Sequence, residues 1–343
     1  MKTVQIDQPA RAAAMVLATL RFGAKHVGAV PALPEVTYVR PQVVLAGAHI
    51  ERYGQVCGFK PAHAVPMTYP QLLTFPLAMA FFASADCPWP AMGTVHLANR
   101  IVQHQLLSVG DAVRVQLRTG TLLAHEKGQV FTLEMKLLRE QETVWEATQT
   151  LLRLGVKAPA GAAYASRLNA DLPLSRQADL LAPSDIGRRY GRVSGDINPI
   201  HLSALSAKLF GFRRAIAHGL WTQARALAAL MPKAPLEQAQ LEVEFKTPLF
   251  LPSRASLWTR RSAVEPHEVS FEVRNDRGDK PHLRGHLSYR HAPVTARPQA
   301  AAVHLGTPRT DRDGRAALAM TPIARGVVNA STNQVLRPFR ESP

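Results

Sequence analysis

The sequence is poor in cysteine and in long apolar runs, and both scarcities limit what the protein can be. Two cysteines, Cys57 and Cys87, exclude a disulfide framework and fit a reducing compartment. No apolar run reaches about eighteen residues, so we expect no transmembrane helix. The apolar stretch at 12–20 is closely flanked by arginines and lacks a clear cleavage pattern, which favours a short surface helix over a signal peptide. We therefore expect a cytoplasmic protein.

Acidic residues are also scarce, because 25 Asp and Glu stand against 41 Lys and Arg and leave a net charge of +16. A charge of this size suits a nucleic acid, the phosphates of coenzyme A, or an acidic carrier protein. The basic residues are scattered, only 6% of residues are aromatic, and no helix-turn-helix or zinc-finger spacing occurs. We predict no nucleic-acid partner and no membrane partner.

What the chain does contain is the composition of a globular protein, with 46% apolar and 19% charged residues. Its 343 residues are enough for two domains of ordinary size, each with its own core.

An internal duplication accounts for these two domains. Tyrosine, glycine, valine and glycine of the segment 53–58 recur in the segment 190–195 at a constant offset of 137 residues (190 − 53). Each segment precedes an apolar helical run, and each run precedes four alternating strands. We predict the helical runs at 66–84 and 220–231, and the strands at 94–99, 112–118, 129–137 and 143–153 and at 240–246, 254–264, 268–275 and 282–290.

The pattern also suggests domain boundaries. We predict a first domain over residues 1–154, a linker rich in Ala, Gly and Pro over 155–172, and a second domain over 173–292. Residues 293–343 lack periodicity and carry an excess of arginine, so we expect a loosely ordered basic tail.

Chemistry-bearing residues are densest between residues 190 and 219. Asp196 and His201 lie five apart, and Gly195 and Pro199 should keep their segment from forming a regular helix. Gly219 then opens the second helical run. One carboxylate and one imidazole can activate a water molecule and move a proton, while a helix N-terminus can hold a developing oxyanion.

The same residues resemble the hydratase 2 motif of the MaoC-like dehydratases, which are (R)-specific enoyl-thioester hydratases with the hotdog fold. The resemblance is carried by Tyr190, Ser194-Gly195-Asp196-Ile197-Asn198-Pro199-Ile200-His201, Ala207, Gly211-Phe212 and Ile216-Ala217-His218-Gly219. Within that family the chain is most similar to the bacterial two-hotdog 3-hydroxyacyl-thioester dehydratases. This implies an α+β tandem hotdog, in which a long central helix is wrapped by an antiparallel sheet in each copy.

The implied activity is the reversible hydration of trans-2-enoyl thioesters to (3R)-hydroxyacyl thioesters in fatty acid metabolism. Asp196 and His201 would serve as general base and general acid, in an order that the sequence leaves open. The Gly219 N–H would stabilise the thioester oxyanion, and Asn198 would orient the dyad or the substrate. We expect His218 to support the start of the helix.

Two further groups are candidates for substrate binding. Lys208, Arg213 and Arg214 follow the dyad and either clamp the pantetheine-linked phosphate of coenzyme A or of a carrier protein, or form a solvated helix face. At the offset of 137, Asp196 corresponds to Phe59 and His201 to Ala64, so the first copy lacks the dyad. Phe59 then either lines a channel for the acyl chain or fills the core.

Alternatives remain open at this point. Asp196, His201 and His218 imitate a two-histidine, one-carboxylate metal site, but the expected reaction needs no Lewis acid, so we predict no metal. We predict no cofactor either, since coenzyme A or the carrier enters as part of the substrate. A hotdog thioesterase would need a carboxylate on its central helix, and a non-catalytic acyl-thioester-binding module would lose the dyad. The chain would be a monomeric pseudo-dimer or a homodimer.

Overall fold

The computed structural model describes residues 2–7, 28–61, 64–168, 172–232 and 234–291. All of them fall in one compact unit that spans Met1–Pro293. The surface helix expected at 12–20 and the tail expected from residue 293 lie outside the described residues. No helix in the described part of the chain is long and apolar enough to cross a membrane.

The described residues of the first half form two helices and six strands. They follow in the order β1 (Lys2–Gln5), β2 (Val36–Val44), α1 (Gly47–Cys57), α2 (Pro70–Ala83), β3 (Thr94–Gln103), β4 (Ala112–His125), β5 (Gly128–Arg139) and β6 (Glu142–Leu154). The four predicted strands of this half are confirmed, with longer bounds. The parallel pairing of β1 with β2 was not predicted.

The second half repeats this order with shorter helices. It contains β7 (Ala162–Ala163), β8 (Ser175–Ala182), α3 (Ile186–Ser194), a 3₁₀ turn (Pro199–His201), α4 (Ala204–Lys208), α5 (Gly219–Leu230), β9 (Leu236–Phe245), β10 (Ser253–Arg261), β11 (Glu268–Asn275) and β12 (Pro281–His291). The predicted central helix and four strands of this half are confirmed. Strand β8 was not predicted, because it precedes the segments that the duplication aligned.

The strands form one 12-stranded sheet in the order β1-β2-β4-β5-β6-β3-β9-β12-β11-β10-β8, with β7 paired to β4. Without β1 and β7, the two halves have the same order, 2-4-5-6-3 and 8-10-11-12-9. They join where β3 pairs antiparallel with β9, for example at Ile101 and Leu241. The predicted duplication and the tandem hotdog architecture are therefore confirmed.

Burial along the strands alternates as a sheet with one buried face requires. In β4, Val113, Val115 and Leu117 are buried, while the residues between them are partly exposed. Under the sheet, α2 packs against β2, β4 and β5. Neither central helix carries an acidic residue.

Part of the predicted linker is attached to the sheet. The short strand β7 pairs with β4, and the Glu244 carboxylate accepts hydrogen bonds from Ser166 Oγ at 2.6 Å and from the Arg167 N–H at 2.9 Å. These contacts bind the connecting segment to β9. The domain boundaries themselves stay a prediction.

Three buried amides connect the central helices of the two halves through β3. Gln71 Nε2 in α2 donates to Asn99 Oδ1 at 2.8 Å, and Asn99 Nδ2 donates to Gln223 Oε1 in α5 at 2.9 Å. All three side chains are buried. Because a buried amide without a partner costs more than a hydrogen bond contributes, Asn99 holds both helices to the strand that joins the halves.

We predict that Asn99→Leu destabilises the protein by about 2–4 kcal/mol, because it leaves two buried amides without partners. A thermal melt should show a loss of several degrees. The triple variant Gln71→Leu, Asn99→Leu and Gln223→Leu should melt above the single variant, since it removes all the partners together. A single variant as stable as the wild-type chain would mean that the amides do not link the halves.

Candidate active site

The chain leaves helix α3 at the point where the two predicted catalytic residues follow. Gly195 adopts φ 80°, the left-handed conformation that favours glycine, and its N–H donates to Gly191 O at 2.9 Å. Asn198 then caps the 3₁₀ turn, because its Oδ1 accepts from the Ile200 N–H at 3.3 Å. Pro199 occupies the first position of this turn. The predicted interruption of the helix is confirmed.

The segment from Asp196 to His201 packs backbone to backbone against α3. A Cβ atom at Gly187 would lie 1.9 Å from the His201 carbonyl oxygen, and one at Gly191 would lie 2.9 Å from that of Asp196. These two glycines are four residues apart, so they share one face of the helix. Only a helix without side chains on that face lets the turn approach so closely.

Asp196 and His201 are held in different surroundings. Asp196 Oδ1 accepts from the Asn198 N–H at 3.2 Å, and its side chain is 32% exposed. His201 is buried, and its Nδ1 lies 2.8 Å from the Ile216 carbonyl oxygen. That oxygen can only accept, so Nδ1 carries the proton and Nε2 has a free lone pair in the neutral ring. Burial lowers the pKa of His201 and favours this neutral form.

His218 belongs to the same cluster rather than only to the helix start. Its ring stacks on His201, with centroids 3.6 Å apart and planes inclined by 26°, and its Nε2 donates to the Asp196 carbonyl oxygen at 2.9 Å. Its Nδ1 is buried without a partner among the described residues. Burial, reinforced by the neighbouring His201, lowers the pKa of His218 to about 3. We conclude that His218 is neutral and connects the two predicted catalytic residues.

The cluster lies at the start of helix α5. One ligand atom from each of Asp196, His201 and His218 lies within 4.8 Å of the others. Gly219, the first residue of α5, follows directly, and the first N–H groups of a helix have no partner within it. A Cβ at Gly219 would lie 2.9 Å from the ring of Phe245, so packing alone already requires glycine there.

The predicted substrate-binding residues lie in different places. Lys208, Arg213 and Arg214 are exposed, and the guanidinium groups of the two arginines lie 4.6 and 5.7 Å from the ring centroid of Phe250. Phe59 is buried and stacks on Tyr53 at 6.1 Å. Its place in the core fits the second of its two interpretations, and its contact with an acyl chain stays a prediction.

A different aromatic residue of the first half reaches the catalytic turn. The ring of Phe75 in α2 lies 3.6 Å from the position of a Cβ at Gly195, next to Asp196. The sequence predicted only an apolar helix there. An aromatic side chain within such a helix has no local signal that separates a core position from a site position.

His49 in α1 is a second contact of the first half with the active-site segment. Its Nε2 lies 2.9 Å from the carbonyl oxygen of Val193, in the last turn of α3, and its Nδ1 lies 2.9 Å from Tyr69 Oη. The Val193 carbonyl can only accept, so Nε2 donates to it and Nδ1 accepts from the tyrosine hydroxyl. The imidazole thus caps a helix carbonyl that has no partner within α3.

The duplicated helix is capped in the opposite direction. Trp221 Nε1 in α5 donates at 3.1 Å to the carbonyl oxygen of Val56, in the last turn of α1. Val56 and Val193 correspond at the offset of 137. Each half therefore supplies a ring N–H to the end of the other half's helix.

Comparisons with known proteins identify the family of this chain. The family model of the MaoC-like domain matches residues 167–277. The 3-hydroxyacyl-thioester dehydratase X of Mycobacterium tuberculosis is 34% identical over 227 residues, which is 66% of this chain and 80% of that protein.

Solved structures give the same result. The crystal structure of M. tuberculosis HtdX has 30% sequence identity and a TM-score of 0.64, over 74% of this chain and 100% of that one. Another M. tuberculosis protein, described as having a double hotdog fold, has a TM-score of 0.50 at 13% identity, over 74% of this chain and 94% of its own. The fold is thus a double hotdog, and the chain belongs to the MaoC-like dehydratase family.

We predict that His49→Asn lowers kcat about fivefold, because it loses a hydrogen bond worth about 1 kcal/mol that holds α3 ahead of Asp196. Asparagine reaches only the position of Nδ1, whereas glutamine reaches that of Nε2. His49→Gln should therefore keep most of the wild-type kcat in a steady-state assay.

The matched control is Tyr53→Phe, which removes a buried hydrogen bond of the same helix, from the Tyr53 hydroxyl to Thr68 Oγ1 at 2.8 Å. It should lower the melting temperature and spare kcat. Equal kcat losses in His49→Gln and His49→Asn would show that the cap on Val193 is not what matters.

Proposed function

We propose that the protein adds water reversibly across the C2=C3 bond of trans-2-enoyl thioesters to give (3R)-hydroxyacyl thioesters. One observation carries this proposal: a carboxylate and an imidazole with a free lone pair lie within 4.8 Å of each other, at the N-terminus of a helix. Groups this close can both form a hydrogen bond with the same water molecule. The M. tuberculosis relative is named as a dehydratase of 3-hydroxyacyl thioesters, the same reaction in reverse.

The proposed mechanism begins with one water molecule that is held by both Asp196 and His201. The water donates its hydrogen atoms to the Asp196 carboxylate and to His201 Nε2, which directs its oxygen lone pair towards C3 of the substrate. As the C3–O bond forms, one of the two groups takes a proton from the water and this proton is then delivered to C2, so that the hydroxyl group and a hydrogen atom of one water molecule are added across the double bond. In the reverse direction the C2 proton leaves and the C3 hydroxyl departs as water.

Negative charge develops on the thioester oxygen during both directions. The free N–H of Gly219 is the proposed donor to this oxygen, and such a donor contributes roughly 3–4 kcal/mol to the transition state. Asn198 acts indirectly in this proposal, because its main chain holds the Asp196 carboxylate and its side chain caps the turn.

We propose that no metal takes part, and the argument comes from the histidine rings. The lone pairs of an imidazole lie in its plane, and the rings of His201 and His218 are stacked 3.6 Å apart. Lone pairs in nearly parallel planes at that spacing do not converge on one ion at about 2.1 Å. We propose no other cofactor, with coenzyme A or a carrier entering as part of the substrate.

Two alternatives have less support. A thioesterase would need a carboxylate on its central helix, and neither α2 nor α5 contains one. A non-catalytic binding module would have no need of a His201 that burial keeps neutral and whose tautomer is fixed by its hydrogen bond to Ile216. Cys57 and Cys87 are buried and neither forms a disulfide bond, which supports the expected cytoplasmic location.

We predict that Asp196→Asn and His201→Ala each lower kcat at least about 10²-fold, because each removes one partner of the same water. Their effects should be far from additive in the double variant. Hydration of trans-2-enoyl-CoA measured by absorbance checks this, with a melt to confirm folding. Wild-type turnover in either single variant would refute the dyad assignment.

The exposed cations are the proposed clamp for the pantetheine-linked phosphate. We predict that Arg213→Glu raises KM for an enoyl-CoA about tenfold and changes kcat little, since charge reversal acts on binding alone. Wild-type KM should also rise with added salt, because screening weakens exposed charge pairs. A KM indifferent to the substitution and to salt would return these residues to the solvated-face interpretation.

A further inference from the structure

Two leucines on the short helix after the dyad point into solvent. Leu205 is 76% exposed and Leu209 is 80% exposed. Leu205 lies in α4, and Leu209 is the C-cap of that helix with a helical backbone conformation. The two are four positions apart, so they lie on the same side. Most exposed apolar residues occur singly and need no explanation, whereas a pair beside an active site indicates a contact surface.

The fold fixes the direction in which these leucines point. Ser206 Oγ donates to the Pro199 carbonyl oxygen at 2.7 Å, and Ala207 is completely buried. These contacts seat the opposite side of α4 on the 3₁₀ turn that carries His201. Because of this packing, the leucine pair lies on the side of α4 that faces away from the turn.

The basic residues close to the pair in sequence have no acidic residue near them in sequence. Lys208, Arg213 and Arg214 are exposed and form no ion pair within the described part of the chain. The sequence contains no Asp or Glu from Ile197 to Leu236. A surface with an apolar centre and an unneutralised basic rim is complementary to an acidic protein with an apolar patch.

We propose that Leu205 and Leu209, with Lys208, Arg213 and Arg214 around them, form the docking surface for an acidic carrier protein that presents the acyl group on its phosphopantetheine arm. This inference rests on the proposed function and names the form of its substrate. A second copy of this chain would bring the same cations against each other. Coenzyme A has phosphates for the cations but no apolar surface for the leucines.

The test compares two substrates that share the acyl group and the pantetheine phosphate. The full-length chain is assayed with a trans-2-butenoyl thioester of coenzyme A and with the same thioester of a purified acidic acyl carrier protein. Leu205→Asp and Leu209→Asp should each raise KM for the carrier-linked substrate about tenfold, the effect expected of a contact at the centre of an interface. The KM for the coenzyme A thioester and both kcat values should stay within about twofold.

Val264→Asp is the matched control, because Val264 is 85% exposed and lies beyond the far end of β10. It should change neither KM. Arg213→Glu should instead raise KM for both substrates, since both contain the phosphate.

Two results would overturn the proposal. The first is an unchanged carrier KM in both aspartate variants, or an equal rise for both substrates. The second is that the wild-type chain forms a dimer, or binds anionic vesicles, through this surface. In that case either aspartate variant abolishes the association, while the KM for the carrier-linked substrate stays constant. If the wild-type chain hydrates neither thioester, the proposed function fails, and calorimetric binding of the carrier protein itself decides the docking surface.

Discussion

The candidate active site depends on the direct contact between the turn that carries Asp196 and His201 and a side-chain-free face of helix α3. Gly187 and Gly191 let the backbone of the turn approach the helix, and at Gly187 even a methyl group would overlap the His201 carbonyl oxygen. Everything else in the site follows from that approach. It brings Asp196 and His201 under His218, and it leaves α4 outside with its leucines exposed.

The two copies contribute different residues to the candidate site. The second copy keeps the carboxylate and the imidazoles, while the first supplies Phe75 against Gly195 and His49 against the end of α3. The amides of Gln71, Asn99 and Gln223 connect the central helices across the same junction. A first copy without a dyad is thus a structural part of the active site in the second.

The features that could be predicted from the sequence are those that depend on nearby residues along the chain. The repeated tyrosine–glycine segments predicted the duplication, and Gly195 and Pro199 predicted the break in which Asp196 and His201 lie. The stacking of His218 on His201 was missed, because their separation of seventeen residues says nothing about ring geometry. The spacing of Gly187 and Gly191 was a usable signal for a bare helix face. His49 offered none, because its contact with Val193 joins residues 144 positions apart.

We propose that the Asp196–His201 dyad adds water across a conjugated thioester, and isotopic analysis of the product is the decisive test of this reaction. A trans-2-enoyl thioester incubated with the protein in ¹⁸O-enriched D₂O should yield a (3R)-hydroxyacyl thioester with ¹⁸O on C3 and deuterium on C2. Release of the free thiol with ¹⁸O in a carboxylic acid would instead identify a thioesterase. That result, or an enoyl thioester recovered unchanged, would contradict the account.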